Sequence, residues 1–71
     1  MKERITLKNL RKKNGFTQRD LAALLDVSPA TVGLWESGQR TPTLKRAIEI
    51  GDLFGVPVEC ISFSDSQLNK H

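Results

Sequence analysis

Apolar residues recur at intervals of three and four along most of the chain, with polar residues between them. This spacing predicts α-helices, because residues three or four apart share one face of a helix. No segment of the sequence shows the alternation of apolar and polar residues that is typical of a half-buried strand. The pattern therefore predicts an all-α fold, a compact bundle of five short helices.

Hydroxyl residues mark where four of the helices are expected to begin. A serine or threonine at the N-cap accepts a hydrogen bond from an amide of the first helical turn. The four N-caps predicted in this way are Thr6, Thr17, Ser28 and Thr43. Asp20 stands three residues after Thr17, which predicts an acidic form of the capping box.

Glycines mark where three of these helices are expected to end, because glycine readily adopts the left-handed conformation that closes a helix. They are Gly15, Gly38 and Gly55. Asp26 stands in the short turn after the second helix, and aspartate tolerates the same conformation better than most residues do. A fifth, shorter helix is predicted from the apolar residues that follow: Val56, Pro57, Val58 and Ile61.

The apolar faces of the helices are expected to form the core. In the first, second and fourth helices the inward residues are Leu7, Leu10, Leu21, Ala22, Leu24, Leu25, Leu44, Ala47, Ile48, Ile50, Gly51 and Phe54. In the third helix, Val32 and Trp35 share the inner side with Glu36. Its outer side holds only small residues and one leucine, which are Ala30, Gly33, Leu34 and Ser37. The function of a short helix with such a small outer surface is therefore the question that the sequence raises.

Charge is distributed unevenly along the 71 residues, which are enough for a single small domain. Residues 1–46 hold ten Lys and Arg against four Asp and Glu, whereas residues 47–71 hold one against four. A basic half is typical of a domain that binds a polyanion, although it can also be a solvated surface. We divide the chain into a domain over residues 1–63 and a polar, fraying tail over residues 64–71.

The composition argues against several classes of function. His71 is the only histidine and Cys60 the only cysteine, so the sequence offers no cluster of metal ligands and no internal disulfide. Cys60 is expected to be a small core residue. Without an acid/base pair or an activated nucleophile, we expect neither an enzyme nor a cofactor site. No apolar run approaches the roughly 20 residues that span a bilayer, so we expect a cytoplasmic protein without a membrane partner.

Several short motifs sharpen the picture in combination. They are Leu10-Arg11, Thr17-Gln18, Leu21-Ala22, Val32, Glu36-x-Gly38, Pro42 and Gly55-Val56. Together with the segment LKNLRKKNGFTQRDLAALLDVSPATVGLWESGQRTPTL, they make the chain resemble the Cro/cI-type (Xre-like) helix-turn-helix family over about residues 5–63. The resemblance implies a lambda-repressor-like fold that binds double-stranded DNA.

The resemblance also implies which residues contact DNA. The helix that begins after Ser28 would be the recognition helix in the major groove, and the helix that begins at Gln18 would cross the phosphate backbone. The DNA-contacting candidates are Gln18, Arg19, Ser28, Pro29, Ala30, Thr31, Leu34, Ser37, Gln39 and Arg40. Lys12 and Lys13 would add nonspecific attraction to phosphates.

Three of these positions depart from the family, whose members commonly carry polar base readers where this chain has Pro29, Ala30 and Leu34. Apolar side chains there can pack on thymine methyl groups. The departure shifts hydrogen-bonding readout to Thr31, Ser37, Gln39 and Arg40, or to the shape of the DNA.

Structural roles are expected for other residues of the matching segment. Arg11 is expected to pair with Glu36, and Trp35 is expected to lie in the core. Gln18 would bind a phosphate at a helix N-terminus, or it is an ordinary surface amide. Ser28 is first a cap, although a capping hydroxyl can also reach a phosphate.

Two functions remain open from the sequence. The first is a homodimeric, sequence-specific transcriptional regulator, most simply a repressor. Its dimer surface would come from the C-terminal region, with Val58, Ile61 and Phe63 as candidates, unless the first two pack in the core. The second is a protein interaction module that keeps the fold without binding DNA, with Leu34 at the centre of its contact.

Overall fold

The structure is a computed structural model that describes residues 4–63. This part of the chain contains four α-helices: α1 (Leu7–Lys13), α2 (Gln18–Leu25), α3 (Pro29–Ser37) and α4 (Leu44–Phe54). A single 3-10 turn, Val58–Cys60, follows α4. Two short strands, β1 (Ile5–Thr6) and β2 (Ile61–Ser62), pair in parallel at the two ends of the described segment. The polar tail predicted for residues 64–71 lies outside the described residues.

The predicted caps are confirmed at all four helices. Each hydroxyl accepts a hydrogen bond from the amide three residues later, for Thr6, Thr17, Ser28 and Thr43 alike. The amide of Thr17 in turn donates to the carboxylate of Asp20 at 2.9 Å, which completes the capping box. Asp26 adopts the left-handed conformation, with φ at 60°. These local bonds set the starting points of α2 and α3 and so fix the turn between them.

The prediction of five helices is wrong in number, although the fold is mainly helical as expected. The segment after Gly55 forms only a 3-10 turn and then enters β2. Pro57 supplies no capping side chain, and only the three residues Val58–Cys60 separate it from Ile61, which pairs in β2, so there is no room for a fifth α-helix. The strands themselves are two residues long, which is too short for an alternating pattern to show in the sequence.

The core forms where α1, α2 and α3 meet α4 and β2. Its buried apolar residues are Leu7, Leu10, Leu21, Ala22, Leu25, Val32, Trp35, Ile50 and Ile61. Ala22 and Val32 lie where α2 and α3 pack together and are 1% and 0% exposed. The small alanine side chain lets the two helices approach closely at this point.

Three of the predicted core residues are in fact exposed. Leu24 is 56%, Leu44 71% and Ile48 44% exposed. In α4, the buried face runs through Ala47 and Ile50. Gly51 belongs to the same face, and Ile48, 100° around the helix from Ala47, lies to one side of it. Leu44 shares the side of Gly51 but is the first residue of α4, where the helix has only begun, and it remains exposed. The described residues contain no helix long and apolar enough to cross a membrane.

Candidate nucleic-acid interface

Helix α3 has one side in the core and the other at the surface. Trp35 and Val32 are buried on the inner side. On the outer side, the candidates Pro29, Ala30 and Ser37 are exposed, as are Ser28 before the helix and Gln39 and Arg40 after it. Thr31, Gly33 and Leu34 are half-buried. The predicted division of the helix is therefore confirmed, except that Gly33 and Leu34 are partly covered.

A bidentate ion pair anchors the C-terminal end of α3. Arg11 donates from Nε to Glu36 Oε2 at 2.6 Å and from Nη2 to Glu36 Oε1 at 3.1 Å. Its third nitrogen, Nη1, donates to the carbonyl of Phe16 at 2.8 Å. The guanidinium of Arg11 is buried, as is the carboxylate of Glu36. The structural pair that the resemblance implied is therefore present, and it ties α3 to α1.

Gln18 belongs to the same network. Its side-chain nitrogen, Nε2, donates to Glu36 Oε1 at 3.0 Å. The amide lies beside Gly33, since a Cβ placed on that glycine would be 3.7 Å from Gln18 Nε2. The first turn of α2 is thereby held against the middle of α3, and Arg19 projects from this same turn. This contact could not be predicted from the sequence, because no local signal links residues eighteen positions apart.

The network also sets the ionisation of Glu36. Burial alone would raise the pKa of this carboxyl group, but the hydrogen bonds from Arg11 and Gln18 and the positive charges of Arg11 and Lys8 outweigh that effect. The pKa of Glu36 is therefore lowered. The hydrogen bonds that Arg11 donates to Glu36 correspondingly raise the pKa of Arg11, so both partners are charged at neutral pH.

Acid should weaken the fold, because a carboxyl group with a lowered folded-state pKa stabilises the protein only while it is ionised. We expect full stabilisation above the ordinary glutamate value of 4.5 and a loss of stability as the pH falls through the lower pKa of folded Glu36. Denaturant midpoints measured from about pH 6 to about pH 3 test this sign. Glu36→Gln should show a shallower decline over this range, whereas an equally steep decline would contradict the assignment to Glu36.

Polar side chains at both ends of α3 are bonded to their own neighbours. The hydroxyl of Ser28 lies 2.9 Å from that of Thr31. At the other end, Ser37 Oγ donates to the carbonyl of Leu34 at 3.2 Å and accepts from Gln39 Nε2 at 3.1 Å. Four of the predicted hydrogen-bonding candidates are thus engaged within the protein in this conformation.

The three candidates for a C-terminal dimer contact differ in how deeply they are buried. Val58 and Phe63 are half-buried. Ile61 is 3% exposed and belongs to the core, because β2 pairs with β1 and turns this side chain inward. The placement of Ile61 on a dimer surface is therefore wrong. Cys60, predicted as a core residue, is half-buried and has a free thiol.

Two helices joined by a tight turn, with the second helix anchored on one side and exposed on the other, define a helix-turn-helix protein. Comparisons of the sequence with known proteins agree with this class. A family model described as helix-turn-helix matches residues 7–59. An uncharacterized HTH-type transcriptional regulator of Methanocaldococcus jannaschii is 44% identical over 55 residues, which cover 78% of this chain and 83% of the relative. No solved structure matches the chain significantly. The chain belongs to the Xre-like helix-turn-helix family.

Proposed function

We propose that the protein is a homodimeric transcriptional repressor that inserts α3 into the major groove of double-stranded DNA. Membership of the helix-turn-helix family supports DNA binding and transcriptional regulation in general. The observation that carries the finer proposal is the exposed outer side of α3 between two fixed ends. Its side chains project little, so the helix axis can lie deep in a groove about 12 Å wide.

The first turn of α2 is placed to contact the DNA backbone next to this groove. Gln18 rests against Gly33 of α3, so α2 begins beside the recognition helix. One hydrogen of Gln18 Nε2 is donated to Glu36, and the second remains available to a phosphate oxygen. Arg19 in the same turn, and Arg40 after the C-terminal end of α3, are exposed cations that add to the attraction. We assign these three residues to phosphate binding.

Binding should depend steeply on salt, because neutralised phosphates release their counterions. We expect a log–log slope of affinity against salt of about −0.9 for each phosphate neutralised. In a dimer, Arg40→Gln should make the slope shallower by about two units, one for each protomer. Fluorescence anisotropy of a labelled duplex between about 50 and about 300 mM salt measures this slope.

Arg4→Gln is the matched control. Arg4 lies at the strand end of the molecule, where its side chain hydrogen-bonds to the backbone of Glu59. The same change of charge at that position should leave the slope as it is. A slope near zero for the unchanged protein would contradict DNA binding and favour the protein interaction module.

Selection of bound sequences from a random duplex pool tests sequence specificity and the dimer together. A two-fold symmetric dimer should enrich two inverted half-sites whose centres are about 34 Å apart along the DNA, or a multiple of this distance. Val58 and Phe63 remain our candidates for the dimer contact. Enrichment of single half-sites would contradict the dimer, and recovery of an unenriched pool would contradict sequence-specific binding.

The half-burial of Leu34 weighs against the interaction module as we first framed it, because a partly covered leucine offers little area to a partner. The more exposed apolar side chains lie on α2 and α4 instead. They are Leu24, Leu44, Ile48 and Leu53. A protein contact on those helices is compatible with DNA binding through α3.

A further inference from the structure

The outer side of α3 combines an apolar surface with polar side chains that hydrogen-bond to their own neighbours. Pro29, Ala30 and Leu34 have side chains that neither donate nor accept hydrogen bonds. Around them, Thr31 is bonded to Ser28, and Ser37 to both the Leu34 carbonyl and Gln39. A base edge that meets the three apolar side chains therefore encounters hydrocarbon and neither a donor nor an acceptor.

From this arrangement we propose that α3 recognises the C5-methyl group of pyrimidines, so that thymine and 5-methylcytosine are both ligands of the same surface. The inference rests on the proposed function and specifies what the recognition helix reads. Two exposed arginines, Arg19 in the first turn of α2 and Arg40 after the C-terminal end of α3, match the charge of the phosphates that flank a base pair. DNA is thus the occupant that the charges on this side of the molecule favour.

The chemistry of the two bases explains why they should be treated alike. In the major groove, thymine presents the O4 acceptor and its C5-methyl group, whereas cytosine presents the N4 donor. Methylation of cytosine at C5 places a methyl group where thymine has one. The side chains of Ala30 and Leu34 contact such a methyl by burial alone and cannot distinguish O4 from N4. The affinity should therefore depend more on the presence of the methyl group than on the hydrogen-bonding pattern of the base.

Four versions of one selected site separate these two properties. The probes carry uracil, thymine, cytosine or 5-methylcytosine at the pyrimidine position that selection shows to be invariant in each half-site. Uracil and thymine differ only in the methyl group, as do cytosine and 5-methylcytosine. We expect each methyl group to strengthen binding by about fourfold per half-site, the value for burial of one such group, and by a similar factor in both pairs.

Two matched leucine variants connect the effect to α3. Leu34→Ala should reduce the preference for the methylated base in both pairs. Leu24→Ala makes the same change at an exposed position on α2 and should leave the preference intact. Circular dichroism shows whether each variant is folded. If Leu34→Ala does not fold, Ala30→Ser replaces it, because Ala30 is exposed and its replacement leaves the core unchanged.

Each outcome decides the matter. Equal affinities for uracil and thymine, and for cytosine and 5-methylcytosine, at a strongly selected site would overturn the proposal that α3 recognises the methyl group. DNA binding itself would stand. A preference for thymine over uracil without one for 5-methylcytosine over cytosine would show that hydrogen bonding dominates, which also overturns it. Failure to select any site would overturn the proposed function and this inference together.

Discussion

Replacement of Glu36 by alanine should lower the free energy of unfolding by about 3 kcal/mol, the cost of leaving a buried charge without its partner. Arg11 is 6% exposed and directs two of its nitrogens at Glu36. Without the carboxylate, the guanidinium keeps only the carbonyl of Phe16 as a partner among the bonds described above. Chemical denaturation followed by circular dichroism at neutral pH measures the loss.

Glu49→Ala is the appropriate control, because Glu49 also pairs with an arginine, but at the surface. The Arg46–Glu49 side chains are 34% and 41% exposed at a distance of 3.0 Å. Loss of that pair should cost less than about 1 kcal/mol. Similar midpoints for Glu36→Ala and Glu49→Ala would contradict the importance of burial.

Gly51→Ala should destabilise the protein by about 2 kcal/mol, as overpacking of a close contact does. A Cβ added at Gly51 would stand 2.6 Å from the carbonyl oxygen of Val56, a backbone atom that cannot rotate away. The amide of Val56 donates to the Gly51 carbonyl at 2.9 Å, so the segment after α4 lies directly against this turn of the helix. Thermal unfolding and denaturant titration both report the effect.

Gly33→Ala makes the same substitution in α3 and should have the opposite sign. The nearest atoms to an added Cβ are those of the Gln18 amide, at 3.7 and 3.8 Å, which is ordinary contact. We expect the free energy of unfolding to rise by roughly 0.5 kcal/mol or slightly more, because alanine has a higher helix propensity than glycine. If both glycine variants were equally stable, the close approach at Gly51 would have no energetic consequence.

The helices were predictable because the signals that define them are local. A hydroxyl three residues before the amide that it caps, as at Ser28 and Thr31, is visible in any reading of the sequence. The left-handed conformation of Asp26 follows from its position between two helical segments. These signals alone place α2, α3 and the turn between them, which is most of what positions the candidate interface.

The parts of the fold that were not predicted depend on distant residues. Ile5 pairs with Ile61 across almost the whole chain, and neither strand is long enough to carry a pattern of its own. The rotation of α4, which leaves Ile48 exposed, is likewise decided by how the helix packs. Helical periodicity limits which residues can share a face. It does not show which face of α4 is buried, because apolar residues occur on more than one side of that helix.

The candidate site shows the same division between local and distant information. The outer side of α3 follows from the helical repeat alone. The pairing of Arg11 with Glu36 was expected only because the chain resembles a known family. The hydrogen bond from Gln18 to Glu36 was missed, since it requires the three-dimensional arrangement of α2 and α3.

The parallel pairing of β1 with β2 has a consequence for the order in which the protein assembles. It joins residues 56 positions apart, so it closes a loop that contains all four α-helices of residues 4–63. The entropy cost of such closure grows with the logarithm of loop length and falls when the helices between the ends are already packed. Helices α2 and α3 are neighbours in sequence and can associate first. We therefore expect the strands to join last and separate first, so that the parting of β1 from β2 precedes any disturbance of the recognition helix.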